Sequence, residues 1–121
     1  MSKYKFDHIH VTSTDPAKTA EFYEKTFGAR LVEKMDMGKG RYMLKLDLCG
    51  VTMLISKTDD EKKAGLGHFG MCVPHLQKAV DELKANDVKF SMEVTKISPQ
   101  LTISFLEAPD NLGVELSESE S

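Results

Sequence analysis

Two stretches of the chain alternate apolar and polar residues in the same order. In residues 6–11 (FDHIHV) Ile9 and Val11 alternate with His8 and His10. In residues 66–73 (LGHFGMCV) Phe69, Met71 and Val73 alternate with His68, a glycine and a cysteine. A two-residue period is typical of a strand with one buried face. We therefore predict two equivalent strands, each with an apolar face and a second face that carries histidine.

Each predicted strand is followed by a segment with the period of a helix. Asp15 suits the N-cap of the first helix, Pro16 suits its first turn, and an apolar stripe continues to Phe27. Gly28 then suits the end of that helix. Residues 75–86 carry a comparable apolar stripe. The sequence therefore predicts one helix after each histidine-bearing strand.

Three strand-like runs follow each predicted helix. They cover residues 29–35, 42–48 and 51–56 after the first helix, and residues 88–95, 101–106 and 112–117 after the second. The order β-α-β-β-β thus occurs twice, which indicates two copies of one unit whose equivalent positions meet across a pseudo-twofold axis. We predict a single α+β domain over residues 1–121, with modules at about 5–57 and 66–117 and a linker at about 58–65.

The composition is that of an ordinary globular domain. Of 121 residues, 40% are hydrophobic and 29% charged, and no apolar run is long enough to span a membrane. The net charge of −3 offers no attraction to nucleic acid. The polar start MSKYKFDHIH has no signal pattern, and Cys49 and Cys72 form no C-x-x-C pair. We expect a cytoplasmic protein that binds neither nucleic acid nor membranes.

Three motifs resemble those of the vicinal oxygen chelate superfamily, which includes glyoxalase I, methylmalonyl-CoA epimerase, fosfomycin-resistance proteins, extradiol dioxygenases and bleomycin-resistance proteins. They are DHIHV with AEFYEKTFGARLV after it, GHFGMCV at mid-chain and APDNLGVELSE near the end. The resemblance covers nearly the whole chain. It implies two βαβββ modules that form an incomplete curved barrel around one metal ion, a small-molecule substrate, and a homodimer.

The resemblance also implies metal ligands on the first, fourth, fifth and eighth strands. Matched by motif, these are His8, His68 and Glu115, while the fourth-strand position falls in GVTMLIS, where we expect Met53. A thioether is a poor ligand for a hard divalent ion. We therefore predict a site of two histidines and one glutamate. This set favours Fe or Mn, with Zn, Ni and Co as alternatives.

Three further residues are candidates for contact with substrate. His10 shares the face of His8, about 6.5 Å further along the strand, and is the candidate general base. A structural or solvated role for His10 is an equal alternative. Met53 and Cys72 are candidate substrate contacts, although core packing explains either of them as well.

Three functions are consistent with the predicted site. The first is a metal-dependent enzyme with dioxygenase-like or addition chemistry, whose substrate offers two oxygens to the ion. The second is a lyase or isomerase similar to glyoxalase I that uses His10 as its base. The third is a metal-free protein that sequesters a small molecule, as bleomycin-resistance proteins do. Metal content separates the third from the first two.

Overall fold

The structure is a computed structural model that describes residues 2–119, and each half of that range has the order β-α-β-β-β. The first half contains β1 (Lys5–Ser13), α1 (Pro16–Phe27), β2 (Arg30–Gly38), β3 (Arg41–Leu48) and β4 (Val51–Lys57). The second contains β5 (Gly65–Val73), α2 (Leu76–Ala85), β6 (Phe90–Ser98), β7 (Leu101–Ala108) and β8 (Leu112–Glu118). The predicted α+β class and the repeated βαβββ order are confirmed.

The described chain forms two compact units. We call residues 8–67 the first unit, and residues 2–7 together with 68–119 the second unit. This division resembles the predicted modules, except that the first residues of β1 are part of the second unit. No helix within residues 2–119 is long and apolar enough to cross a membrane.

The first unit is a four-stranded mixed sheet in the order β2-β3-β4-β1, with α1 packed on one side. Strand β1 pairs with β4 in parallel, whereas β2, β3 and β4 pair antiparallel. Helix α1 begins as predicted, since a side-chain oxygen of Asp15 accepts a hydrogen bond from the Lys18 backbone N–H at 3.2 Å. It ends at Gly28, whose φ of 74° is the left-handed conformation that glycine adopts at no steric cost.

The core of the first unit lies between α1 and its sheet. Its buried members are Ala20, Ala29, Leu44, Leu46, Met53 and Ile55. Ile9 and Val11 of β1 pack against this cluster. Because side chains alternate along a strand, His8 and His10 lie on the other face of the sheet.

The second unit repeats this arrangement with the sheet order β5-β8-β7-β6. Strands β5 and β8 are parallel, and the remaining pairs are antiparallel. Its core packs α2 against the sheet, with these buried members: Val73, Leu76, Ala79, Val80 and Leu116. The Leu76 N–H at the start of α2 donates to Glu118 Oε2 at 3.3 Å. Each four-stranded sheet is open, and neither closes on itself.

Candidate metal centre

His68 and Glu115 meet on the face of the second unit that points away from α2. Parallel pairing of β5 with β8 sets Gly70 opposite Glu115, and His68 precedes Gly70 by two residues on the same face. The distance from His68 Nε2 to Glu115 Oε2 is 3.8 Å. Both side chains are mostly covered, with 18% and 17% of their surfaces exposed. The register of two strands thus joins residues that are far apart in sequence.

Phe105 restricts the orientation of the His68 ring. It lies on β7, directly opposite Glu115 in the antiparallel pair of β7 and β8. The rings of His68 and Phe105 meet edge to face, with centroids 5.1 Å apart and planes at 84°. The Phe105 ring therefore restricts rotation of the His68 imidazole, which favours one orientation of its two ring nitrogens.

The His68–Glu115 pair fits a divalent ion. Imidazole nitrogen and carboxylate oxygen each bind such ions at about 2.1 Å, so two donor atoms on one ion lie within about 4.2 Å of each other. The observed separation of 3.8 Å satisfies this limit. One imidazole and one carboxylate also match the ligand preferences of Fe, Mn and Zn.

His8 and His10 lie side by side on β1 in the first unit. His8 is buried, with 4% of its surface exposed, and His10 is half-buried. Their ring centroids are 6.4 Å apart. The structure therefore brings His8 and His10 together on one face of their unit, as it brings His68 and Glu115 together in the other.

Ser56 is the hydrogen-bond partner that sequence reasoning missed. His10 Nε2 and Ser56 Oγ are 2.8 Å apart, and Ser56 lies on β4, next to β1. Burial holds the pKa of His10 below its ordinary value, and the neighbouring His8 lowers it further. A neutral imidazole can act as a proton acceptor near pH 7. The alternation of β4 was the available signal, because it places Ser56 on the face opposite Ile55.

Met53 lies away from the histidine-bearing face. It is 2% exposed within the core of the first unit and is the register partner of Ile9, so its side chain packs under α1. In the parallel pair of β1 and β4, Leu54 is the register partner of His10. In the equivalent pair of β5 and β8, Glu115 is the register partner of Gly70, which lies two residues after His68 as His10 lies two residues after His8. In the repeat, Leu54 is therefore the counterpart of Glu115. A shift of one residue along a strand moves a side chain to the opposite face.

Cys72 lies on β5 at 7% exposure, opposite Ser117 of β8. Alternation places it on the same face as His68, as the sequence predicts. Burial raises the pKa of the Cys72 thiol, and the Asp7 carboxylate raises it further. The thiol is therefore neutral near pH 7 and behaves as a small apolar group.

A cavity of about 570 Å³ opens in the first unit where β3 begins and β4 ends. It is lined by Met37, Gly40, Arg41, Tyr42, Met43, Ser56, Lys57 and Asp59. Ser56 is thus shared between this cavity and the hydrogen bond to His10. Sequence reasoning did not find the cavity, because its walls come from separate strands.

The comparisons with known sequences identify the family. The family model described as the Glyoxalase/Bleomycin resistance protein/Dioxygenase superfamily matches residues 5–116. A probable chloroplastic lactoylglutathione lyase of Arabidopsis thaliana is 30% identical over 96% of this chain and 36% of its own length. A lactoylglutathione lyase of Schizosaccharomyces pombe is 26% identical over 98% of this chain and 46% of its own length. The chain therefore spans less than half the length of these relatives.

Solved structures share the fold. A hypothetical protein from Bacillus halodurans C-125 superimposes with a TM-score of 0.81 at 19% identity, covering 99% of this chain and 97% of the other. Methylmalonyl-CoA epimerase from Mycobacterium tuberculosis superimposes with a TM-score of 0.75 at 17% identity, covering 97% and 89%. These matches confirm the predicted fold.

Proposed function

The chain belongs to the Glyoxalase/Bleomycin resistance protein/Dioxygenase superfamily, and on that premise we propose that it is a divalent-metal-dependent enzyme. The observation that carries the proposal is the largely covered pair of His68 and Glu115, whose donor atoms are 3.8 Å apart. His8, matched to the family motif in the sequence, is the proposed third ligand. Fe or Mn is the favoured ion.

The proposed substrate is a small molecule with a hydroxyl next to a carbonyl, which offers two oxygen atoms to one ion. When bound, a divalent ion supplies Lewis acidity to those oxygens and makes the neighbouring C–H bond more acidic. The remaining requirement is a base within reach of that proton. His10 is the proposed base.

The surroundings of His10 favour a lyase or isomerase over a dioxygenase. Its lowered pKa keeps the imidazole neutral near pH 7. In the tautomer in which Nε2–H donates to Ser56 Oγ, the lone pair is on Nδ1, which takes the proton from the carbon that bears the hydroxyl. His10 then returns the proton to the product, so the step needs no oxidant. The lactoylglutathione lyases among the relatives support this reaction class.

Metal analysis of untagged protein tests the metal site. We expect about one Fe or Mn per chain in the wild type and loss of that ion in His68→Ala and in Glu115→Ala. His75→Ala and Glu107→Ala are matched controls, because both remove exposed side chains of the second unit. Protein that takes up no ion under any loading condition would contradict the proposal. That result would favour a metal-free binding protein.

Proton exchange tests the role of His10. With S-lactoylglutathione in D₂O, we expect the metal-loaded wild type to exchange the proton on the hydroxyl-bearing carbon, followed by NMR. His10→Ala should slow this exchange by about 10²- to 10⁴-fold and leave the metal content unchanged. His75→Ala serves as the control. Exchange at the wild-type rate in His10→Ala would exclude His10 as the base, and consumption of oxygen would favour a dioxygenase.

The homodimer and the cytoplasmic location predicted from the sequence stay predictions. Light scattering during size-exclusion chromatography measures the mass of the assembly directly. A dimer that persists at micromolar concentration is the expected result, and a mass of one chain would contradict it.

A further inference from the structure

The cavity of the first unit is connected to His10 through Ser56. Ser56 lines the cavity, and its hydroxyl lies 2.8 Å from His10 Nε2. The volume of about 570 Å³ is within the range of small-molecule sites in proteins. The cavity therefore lies next to the residue that is hydrogen-bonded to His10. The residues that line the cavity then determine which chemical group can bind in it.

The charged groups of the cavity favour an anion. Arg41 and Lys57 line it, with Asp59 as the single acid among the lining residues. Lys57 Nζ lies 3.8 Å from Asp59 Oδ1, but both side chains are highly exposed, so this pair contributes little. Within residues 2–119 the structure shows no ion pair that involves Arg41. The guanidinium is consequently available to a ligand.

Three other lining residues, Met37, Tyr42 and Met43, supply apolar surface. Tyr42 packs against the core of the first unit, and Lys34 Nζ lies 4.4 Å from the centre of its ring on a cation–π contact. Met37 and Met43 add flexible apolar surface. A ligand with an apolar segment and an anionic end therefore matches the cavity in both respects.

We propose that this cavity binds the anionic end of the substrate, a carboxylate or a phosphate, through Arg41 and Lys57. The planar guanidinium of Arg41 can donate two parallel hydrogen bonds to either group, while Lys57 adds a single positive charge. The inference rests on the proposed function, because it assigns the cavity to the same substrate. Its test nevertheless requires neither metal nor turnover.

Calorimetric titration of chelator-treated protein at low salt tests the inference. S-methylglutathione is the probe that carries carboxylates, and coenzyme A is the probe that carries phosphates. We expect one of the two to bind, and the affinity for it to fall about ten-fold in Arg41→Gln. The decrease in Lys57→Gln should be smaller, because an ammonium group cannot donate two parallel hydrogen bonds as a guanidinium does, and Lys57 Nζ already lies 3.8 Å from Asp59 Oδ1. The probe that binds identifies the anion.

Lys18→Gln is the matched control, because it removes one exposed positive charge from α1 of the same unit. Its affinity should equal that of the wild type. Circular dichroism of each variant verifies the fold. Equal affinity of wild type and Arg41→Gln, an equal loss in Lys18→Gln, or binding of neither probe would overturn the inference. If Arg41→Gln loses anion binding and the wild type takes up no metal, the inference stands and the proposed metal-dependent enzyme is contradicted.

Discussion

At the scale of single residues, two adjacent residues of strand β4 face opposite sides of the sheet. One lies in the core and the other lies on the histidine-bearing face. Met53 packs under α1, whereas Leu54 shares a face with His10. The sequence already contained the relevant signal, because Met53 alternates in step with Val51 and Ile55. Alignment of the two copies in the sequence made Met53 the counterpart of Glu115. That alignment is one residue out of register at β4, where the strand pairing makes Leu54 the counterpart. Because side chains alternate along a strand, an error of one residue assigns a core residue to the histidine-bearing face.

Met53→Ala should therefore destabilise the fold more than Leu54→Ala does. Truncation of a fully buried methionine costs about 2 to 5 kcal/mol, whereas Leu54 is half-buried and loses less contact. The free energies of unfolding in urea provide the comparison. A larger loss of stability in Leu54→Ala than in Met53→Ala would contradict the assignment of the two faces.

Leu54→Glu should increase affinity for a divalent ion. The substitution adds a carboxylate on the face of β1 and β4 that carries His8 and His10, at the counterpart of Glu115. A carboxylate oxygen is a suitable ligand for Fe, Mn and Zn. Competition with a metal-binding dye should show a lower Kd, by about ten-fold, than for the wild type. Leu54→Gln is the uncharged control, and a Kd that does not decrease in Leu54→Glu would refute the prediction.

At the scale of elements, the local signals for the helices were sufficient. Helix α1 begins at Pro16 and ends at Phe27, as predicted from its cap residues and apolar stripe. Strand boundaries were predicted less well. Strand β2 extends to Gly38, beyond the predicted residues 29–35, because its backbone pairs with β3 as far as Arg41. Pairing between strands depends on a partner, which residue type alone does not reveal.

Asp15→Ala should weaken α1 by about 1 kcal/mol, because the Lys18 N–H loses its side-chain acceptor. His75 is the equivalent cap position of α2 and makes no side-chain cap hydrogen bond. His75→Ala should consequently have little effect on stability. Urea denaturation of the two variants gives the difference directly. Equal effects at both positions would show that the Asp15 hydrogen bond contributes nothing to folding.

At the scale of the whole molecule, a bound ion should be linked to stability. An ion that binds only the folded chain stabilises it by about 2.7 kcal/mol at a free concentration of about one hundred times Kd. The melting temperature of the wild type should rise when Mn(II) is added and fall again with a chelator. His68→Ala should show no rise, and His75→Ala should behave as the wild type. An equal rise in His68→Ala would place the ion elsewhere.

The sequence by itself determined the repeat, the two helices, the caps of α1, and the faces of the strands that carry His8, His10 and His68. Each of these follows from local periodicity, which reports how a segment meets a core but not which segment lies beside it. The tertiary structure alone decided three things. It brought Glu115 within 3.8 Å of His68, set Ser56 against His10, and formed a cavity with Arg41 and Lys57 in its walls. All three depend on strand register, which distant segments establish only when they pair.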